Sequence, residues 1–405
     1  MTSILTAEQR EAKTFALEKV RAPWMGILET ANATFLLLIA ERWFAAGPAA
    51  KSLLQTNSSV GLLLSPLIVV WVASRGWHAG LAAAWLFRVA AAAVIVGALA
   101  QSLWLFVAAC VAAFICVAGA APLFAALYDA HYIAIHRGEL FSRNVVRRII
   151  GGVIFALVAG KLLEIWPGAW RALLGVYALA LLIAAACLSA CPPAAVNTGA
   201  GTHPLRAFRH VRTDRVFRWT LVSWMLMGFA NLTMFPLRVE YLANPDYGMH
   251  LTAGMIALLT SVIPNAARLL FTRLWGRLFD RMDFFLLRIL LNTGFMLGIL
   301  SFFTGGSLVG LVAGAVLFGI SNAGADIAWS LWVTKLAPPG HATEYMAVHT
   351  FLTGFRGVIA PFVAFYLPAA YGIGPTAMLM AGLIAFASLL LLNERRSGTR
   401  LDISR

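Results

Sequence analysis

The sequence predicts an all-α membrane protein of about twelve transmembrane helices, arranged as two parallel six-helix repeats. Three observations carry that expectation: composition, the spacing of apolar stretches, and an internal repeat. Hydrophobic residues fill 61% of the 405 positions and charged residues 12%, about half the charged share of roughly 25% usual in soluble domains. Mean hydropathy is +0.82 along the chain, which leaves no room for a sizeable soluble domain. Apolar stretches of about 20 residues, each enough to cross a hydrocarbon core of roughly 30 Å, fall near 24–44, 59–76, 84–101, 104–128, 145–165, 169–191, 217–238, 252–273, 285–304, 307–335, 345–368 and 374–393. Glycine and proline inside them count less against helix than they would in water, because neighbouring helices re-satisfy the backbone.

The repeat is legible residue by residue. Ala31, Asn32, Thr34, Leu38 and Glu41 recur as Ala230, Asn231, Thr233, Leu237 and Glu240, all at an offset of 199. Pro66, Arg75 and Trp77 match Pro264, Arg273 and Trp275 at 198. Gly76, Leu86 and Arg88 match Gly276, Leu286 and Arg288 at 200, and Gly152-Val153-Ile154 matches Gly357-Val358-Ile359 at 205. Successive matches at a nearly constant offset predict two copies of one unit in the same order. The expected organisation is a cytoplasmic N-terminal segment at 1–23, a six-helix bundle at 24–191, a cytoplasmic linker at 192–216, a second bundle at 217–393 and a cytoplasmic tail at 394–405.

The net charge of +14 does not point to nucleic acid, because of where the charges fall. With the N-terminus placed inside, 24 of the 31 Lys and Arg residues lie at cytoplasmic ends and loops. Five lie outside (Arg42, Lys51, Lys161, Arg171, Arg238), and Arg268 and Arg356 remain within spans. This positive-inside bias predicts a multi-pass protein of the cell (inner) membrane with both termini in the cytoplasm. No cleavable signal peptide precedes the first span, and Thr6-x-x-Gln9 has the form of a helix-starting capping box. Arg206, Arg209, Arg212, Arg215 and Arg218, spaced every third residue, suit the cytoplasmic membrane surface. Cys110, Cys116, Cys187 and Cys191 all fall in apolar spans and read as small buried residues. Trp24, Trp43, Trp77, Trp104, Trp166 and Trp275 stand near span ends, where interfacial anchoring is expected.

One motif names a family. Gly276-Arg277-Leu278-Phe279-Asp280-Arg281-Met282-Asp283, followed by Arg288, resembles the cytoplasmic loop motif of the major facilitator superfamily, Gly-x-Leu-Ala-Asp-Arg-x-Gly-Arg-Arg. An acid there can cap a helix N-terminus and pair with arginines across the bundle. The first-half copy has decayed: Gly80 and Leu81 stand where Asp280 and Arg281 stand in the second half. An arginine common in the fourth span of proton-coupled members is missing, and so is the Gly-Pro motif of the drug/proton antiporters in span five. Gly276, Asp280, Arg281 and Arg288 are therefore read as a gating and structural motif. Asp129, His131, His136, Arg143, Arg147 and Arg148, at the inner ends of spans four and five, are read as an inner gate or salt-bridge network.

Depth follows from 1.5 Å per residue. With span one entering near Pro23, Asn32 and Thr34 lie roughly 13–17 Å in, and Asn231 and Thr233 are also central. The resemblance implies that spans one, four, seven and ten line a cavity, which would bring both Asn/Thr pairs to substrate. Interhelical hydrogen bonding is the competing role, at about 0.6 kcal/mol each. Asn322 and Arg356 complete the substrate-binding candidates. Ionisable groups inside a membrane are functional candidates by default, so Glu29 and Asp326 are the proton-coupling candidates. Asp326 and Arg356 could meet as a pair, and Arg268 could snorkel to the cytoplasmic edge. Glu41, Arg42 and Glu240 are expected at solvated outer ends.

No metal site, cofactor or nucleotide loop is expected: Ala159-Gly160-Lys161-Leu162 lacks the opening glycine and the Ser/Thr of a phosphate loop. The resemblance implies a secondary transporter of a small organic solute working by alternating access, with protons as a candidate coupling ion. The partners expected are that solute and the lipid bilayer, with the protein a monomer. An organic anion or zwitterion is the first substrate expectation and a sugar-like neutral solute the next. The rival is a non-transporting receptor or lipid-handling protein on the same fold. An enzyme is not expected, for want of a catalytic constellation.

Overall fold

A computed structural model of the chain describes residues 6–133, 137–196, 208–338 and 341–396. Twelve long helices make up most of them: α1 Ala7–Phe44, α2 Pro48–Ser74, α3 Ala79–Ala98, α4 Leu103–His131, α5 Arg137–Ile165, α6 Pro167–Ala190, α7 Arg215–Ala243, α8 Ala253–Arg281, α9 Phe284–Thr304, α10 Leu308–Leu336, α11 Ala342–Tyr371 and α12 Ile373–Arg396. Among the described residues there is no strand. Eleven of the helices are long and apolar enough to cross a membrane. The other, α5, opens with Glu139, Arg143, Arg147 and Arg148 and then runs apolar from Ile149 to Val158.

The spans start earlier than hydropathy alone suggests. α1 begins at Ala7, well before the expected entry at Pro23, because its polar first turns are capped and partnered. Thr6 and Gln9 form the capping box, with Gln9 N donating to Thr6 Oγ1 at 3.2 Å and Thr6 N to Gln9 Oε1 at 2.9 Å. α2 likewise begins at Pro48, a proline at the first turn, and buries Lys51, Ser52 and Asn57 before its apolar stretch. Two helices contain a single π turn: Ala31–Phe35 within α1 and Leu258–Val262 within α8.

The chain forms two compact units, Met1–Ala200 with Leu251–Ala257, and Gly201–His250 with Leu258–Arg405. In the first, the closest-packed pairs are α3 with α6, α1 with α5, α2 with α4, α3 with α4 and α1 with α6. In the second they are α9 with α10, α8 with α10, α9 with α12, α7 with α12 and α7 with α11. Adding six to each helix number converts one set into the other, so the repeat read from the sequence is a repeat of packing.

Small residues set the tightest crossing of the first unit, α1 on α5. A Cβ at Gly152 would stand 2.7 Å from Thr30 Oγ1 and 2.9 Å from the Gly26 carbonyl, and one at Gly151 2.6 Å from Pro23 Cα. Helices in lipid associate through such close packing, since burial from water does not drive them together. The matching crossing in the second unit is filled differently. There the Arg356 guanidinium lies against Gly228, in the space a Cβ would take.

Candidate functional site

The first unit carries a closed polar ring at the π turn of α1. Asn57 Nδ2 donates to Asn32 Oδ1 at 2.7 Å, Asn32 Nδ2 to Ser58 Oγ at 3.1 Å, and Ser58 Oγ to Asn57 Oδ1 at 2.8 Å. Asn57 is fully buried, whereas Asn32 and Ser58 are half-buried and present polar atoms at the surface of the unit. π turns concentrate at functional sites because they re-aim the side chains of one turn. One turn earlier, Glu29 is exposed and pairs with Arg148 of α5 at 3.2 Å. The sequence reading found Asn32 and Glu29 but missed Asn57 and Ser58. Both precede the apolar window of the second span, where position alone gave no reason to single them out.

The Thr members of the repeated signature do not behave like the Asn members. Thr34 and Thr233 are both fully buried, so neither presents a hydroxyl for a solute in this structure. Asn231 is also buried, with Nδ2 3.1 Å from Met227 Sδ and Oδ1 without a partner. The expectation that both Asn/Thr pairs are presented alike is therefore corrected: only Asn32 is.

In the second unit Asp326 pairs with Arg268, the Arg268 Nε donating to Asp326 Oδ2 at 2.6 Å across α8 and α10. Asp326 thus meets Arg268 and not Arg356, and Arg268 reaches across instead of snorkelling. Asn322, one turn before Asp326, is half-buried. Arg356 donates Nη1 to the Trp224 carbonyl at 2.5 Å. Glu29 and Asp326 thus each have an arginine from a neighbouring helix of their own unit.

The loop motif needs three corrections. Gly276 to Arg281 are the closing turns of α8, because Trp275 and Phe279, four apart, are buried and carry the helix through. The glycine has open space around it and makes no turn. Asp280 is exposed and makes no ion pair among the described residues, as do Arg277 and Arg281. The acid that caps and pairs is Asp283, which accepts from Leu286 N at 3.1 Å and from Arg395 at 3.3 Å. Arg288, expected among the cytoplasmic charges, is buried against the Trp224 ring, its Cζ 3.7 Å from the centroid. The decayed first copy has a packing reason: a Cβ at Gly80 would stand 2.7 Å from the Leu188 carbonyl. Asp could not occupy that position without moving α6.

The inner-end cluster disperses. Arg148 goes to Glu29, Arg147 to Asn144 at 2.9 Å, Arg143 to Glu139 at 2.6 Å and His131 to Thr14 at 2.9 Å, while Asp129 is exposed. His136 lies outside the described residues. The network that does form joins α1 to α4: Arg21 makes a two-pronged pair with Glu18 at 2.7 and 2.8 Å, and both reach Tyr128 at 2.8 Å. At the far end of α1 Glu41 pairs with Lys51 of α2 while nearly buried, and Arg42 is exposed as expected; Glu240 near the end of α7 is buried, so neither Glu41 nor Glu240 is a solvated helix end.

The linker arginines also find partners. Arg206 lies outside the described residues. Arg209 pairs with Glu344 at 3.1 Å, His210 pairs with the same carboxylate, and His341 Nδ1 is 3.7 Å from it. Arg215 pairs with Glu394 at 3.3 Å. The sequence reading saw no histidine pair at metal spacing, yet folding brings His210, His341 and Glu344 together from distant positions.

Comparison with known proteins agrees with this architecture. The family model described as Major Facilitator Superfamily matches residues 25–361. Among curated protein sequences, none matches the chain. Among solved structures, the chain is similar to the nucleoside transporter NupG (D323A mutant), with a TM-score of 0.77 and 14% identity over 94% of this chain and 99% of that one. It is similar to the D-xylose-proton symporter, with a TM-score of 0.71 and 17% identity over 94% and 97%. The inward-open xylose transporter XylE from E. coli gives 0.68 and 16% over 93% and 94%. At these identities the structures establish a shared fold, and the family match covers most of the chain. By its repeat, its twelve helices and that match, the chain belongs to the major facilitator superfamily.

Proposed function

We propose that this secondary transporter of a small solute carries a neutral, hydroxyl-rich molecule, with protons as its coupling ion. The carrying observation is the Asn32–Asn57–Ser58 ring at the π turn of α1. Amides and hydroxyls fixed in one geometry can both donate to and accept from sugar-like hydroxyls. The alternative first expected from the sequence, an organic anion, rested on Arg268 and Arg356 as free charges. Arg268 is neutralised by Asp326, and Arg356 is committed to Trp224, so that argument weakens for the solute. Support from outside the chain comes from the nucleoside transporter and the D-xylose-proton symporter, whose named substrates are both rich in hydroxyls.

Glu29 or Asp326 is the coupling acid in this reading. Each is an exposed carboxylate held by one arginine, Arg148 or Arg268, so protonation would release that arginine and loosen one helix pairing. A receptor or lipid-handling role on this fold would not call for paired ionisable groups at these depths. The protein acts as a carrier and not an enzyme, in the inner membrane, as a monomer with both termini in the cytoplasm. Counterflow of labelled sugars and nucleosides into proteoliposomes tests the reading. Saturable exchange of at least one of them, lost in Asn32→Ala, is expected; exchange of neither class would overturn it.

A further inference from the structure

Two arginines of the second unit, the buried Arg288 and the half-buried Arg356, meet at Trp224 with no carboxylate between them. Arg288 on α9 is 1% exposed, stacks on the Trp224 ring and donates Nη2 to Asn292 Oδ1 at 3.3 Å. Its Nε and Nη1 are buried with no acceptor. Arg356 on α11 donates Nη1 to the carbonyl of the same Trp224 and leaves a buried Nε without an acceptor. Around them stand more donors in the same condition. The indole Nε1 atoms of Trp224 and Trp332 and the hydroxyl of Thr353 have no partner, and the fully buried His349 has neither ring nitrogen satisfied. His349 lies 5.2 Å from the Trp224 ring and 5.1 Å from that of Trp332, centre to centre, so these groups form one cluster.

Among the described residues, the acids of this unit are engaged elsewhere or stay at the surface. Asp326 is on Arg268, Asp283 on Arg395, Glu394 on Arg215 and Glu344 on Arg209 and His210. Asp214 accepts from Phe217 N and from Tyr345, Glu240 is beside Asn244, and Asp246 and Asp280 are exposed. A buried ion without a counter-charge remains costly after relaxation. The cation–π contact of Arg288 on Trp224 offsets part of that cost, which leaves the charge of Arg356 and the indole and hydroxyl donors unanswered. Buried donors with no acceptors are the complement of an anion. Arg356 is only half-buried and Trp329 is exposed, which gives the cluster an open side.

We infer that Arg288, Arg356, Trp224, Trp332 and His349 form a binding site for one compact oxyanion, a carboxylate or phosphate group. Guanidinium groups match the planar oxygens of such anions, and indole N–H groups add neutral donors. The site lies within the second unit and shares no residue with the Asn32 ring, so it does not depend on the identity of the carried solute. The anion has two sources, an ion carried alongside the neutral solute or one resident in the protein.

The purified full-length protein in detergent tests the site. Sodium phosphate or sodium acetate replaces sodium chloride at constant ionic strength, while the unfolding midpoint and tryptophan fluorescence are followed. A saturable rise in midpoint with a parallel fluorescence change is expected with at least one of the two ions. Arg356→Gln should raise the half-saturating concentration at least tenfold, and Arg288→Gln should abolish the response. If Arg288→Gln does not fold, the half-buried Arg356 carries the result alone. Arg277→Gln, which removes an exposed arginine of the same unit, should leave the response unchanged. No saturable response to either ion, or equal half-saturation in wild type and Arg356→Gln, would overturn the inference. Proteoliposomes loaded with the responding ion then name the source: protein-dependent efflux marks an ion carried alongside the solute, and retention marks a resident ion.

Discussion

The residue that organises the polar ring is Asn57, although Asn32 drew attention first because of its repeat. Asn57 is fully buried, donates to both Asn32 and the Leu54 carbonyl, and accepts from Ser58. Removing it leaves Asn32 Oδ1 without its donor and lets the Asn32 amide turn. Asn57→Ala should therefore lower solute affinity about tenfold and cost about 1 kcal/mol of stability from the lost hydrogen bonds, read by counterflow and by thermal unfolding. Unchanged affinity would assign the ring to helix packing alone. Gly152 gives a second residue-scale test. Valine there would drive side-chain atoms into Thr30 and the Gly26 backbone, and overpacking of this kind costs about 1–3 kcal/mol. Gly152→Val should lower the unfolding midpoint, whereas valine at Gly175, which has open space around it, should not.

At the scale of the element, hydropathy located the spans but not their polar first turns. Residues 7–22 form helix because Glu18, Arg21 and Thr14 are answered by Tyr128 and His131 far along the chain, and no local signal announces such partners. The depth argument counted Asn32 inward from Pro23, whereas the helix begins at Ala7, and it could not say which way Thr34 points, since a π turn shifts the register of the face by one residue. The pairing of Asp326 with Arg268 was also out of reach, because two arginines on different helices satisfied the same sequence criterion. The loop motif was legible as a family signature and misleading as a structure, the acid that caps a helix and pairs with an arginine being Asp283. That difference is testable. Asp283→Ala removes a helix cap, typically worth about 1 kcal/mol, and releases Arg395. It should lower the unfolding midpoint by more than Asp280→Asn does. A larger loss from Asp280→Asn would restore the family motif to its expected role.

On the scale of the molecule, the two units repeat one packing scheme but not one chemistry. The first unit joins α1 to α5 through bare glycine contacts and places Glu29 with Arg148 at their edge. The second fills the equivalent crossing with Arg356 and places its exposed acid, Asp326, on α10 against α8. A duplicated carrier whose halves were chemically equivalent would couple through both acids alike; this one offers two acids held by different helix pairs. In the proposed reading, neutralising a carboxylate by protonation removes the attraction that holds its arginine, so each pair would act as a latch that opens on proton binding. Glu29→Gln and Asp326→Asn imitate the protonated state permanently. If protons drive transport, one of these variants should lose accumulation under a pH gradient while keeping solute exchange at equal pH on both sides. The other should change the rate about threefold or less, because its latch shapes a conformation without carrying the ion. The measurement is paired gradient-driven uptake and equal-pH exchange in the same proteoliposomes. Accumulation retained in both variants would mean that neither acid carries the proton, and the coupling assigned to Glu29 and Asp326 would fail even if the solute assignment stood.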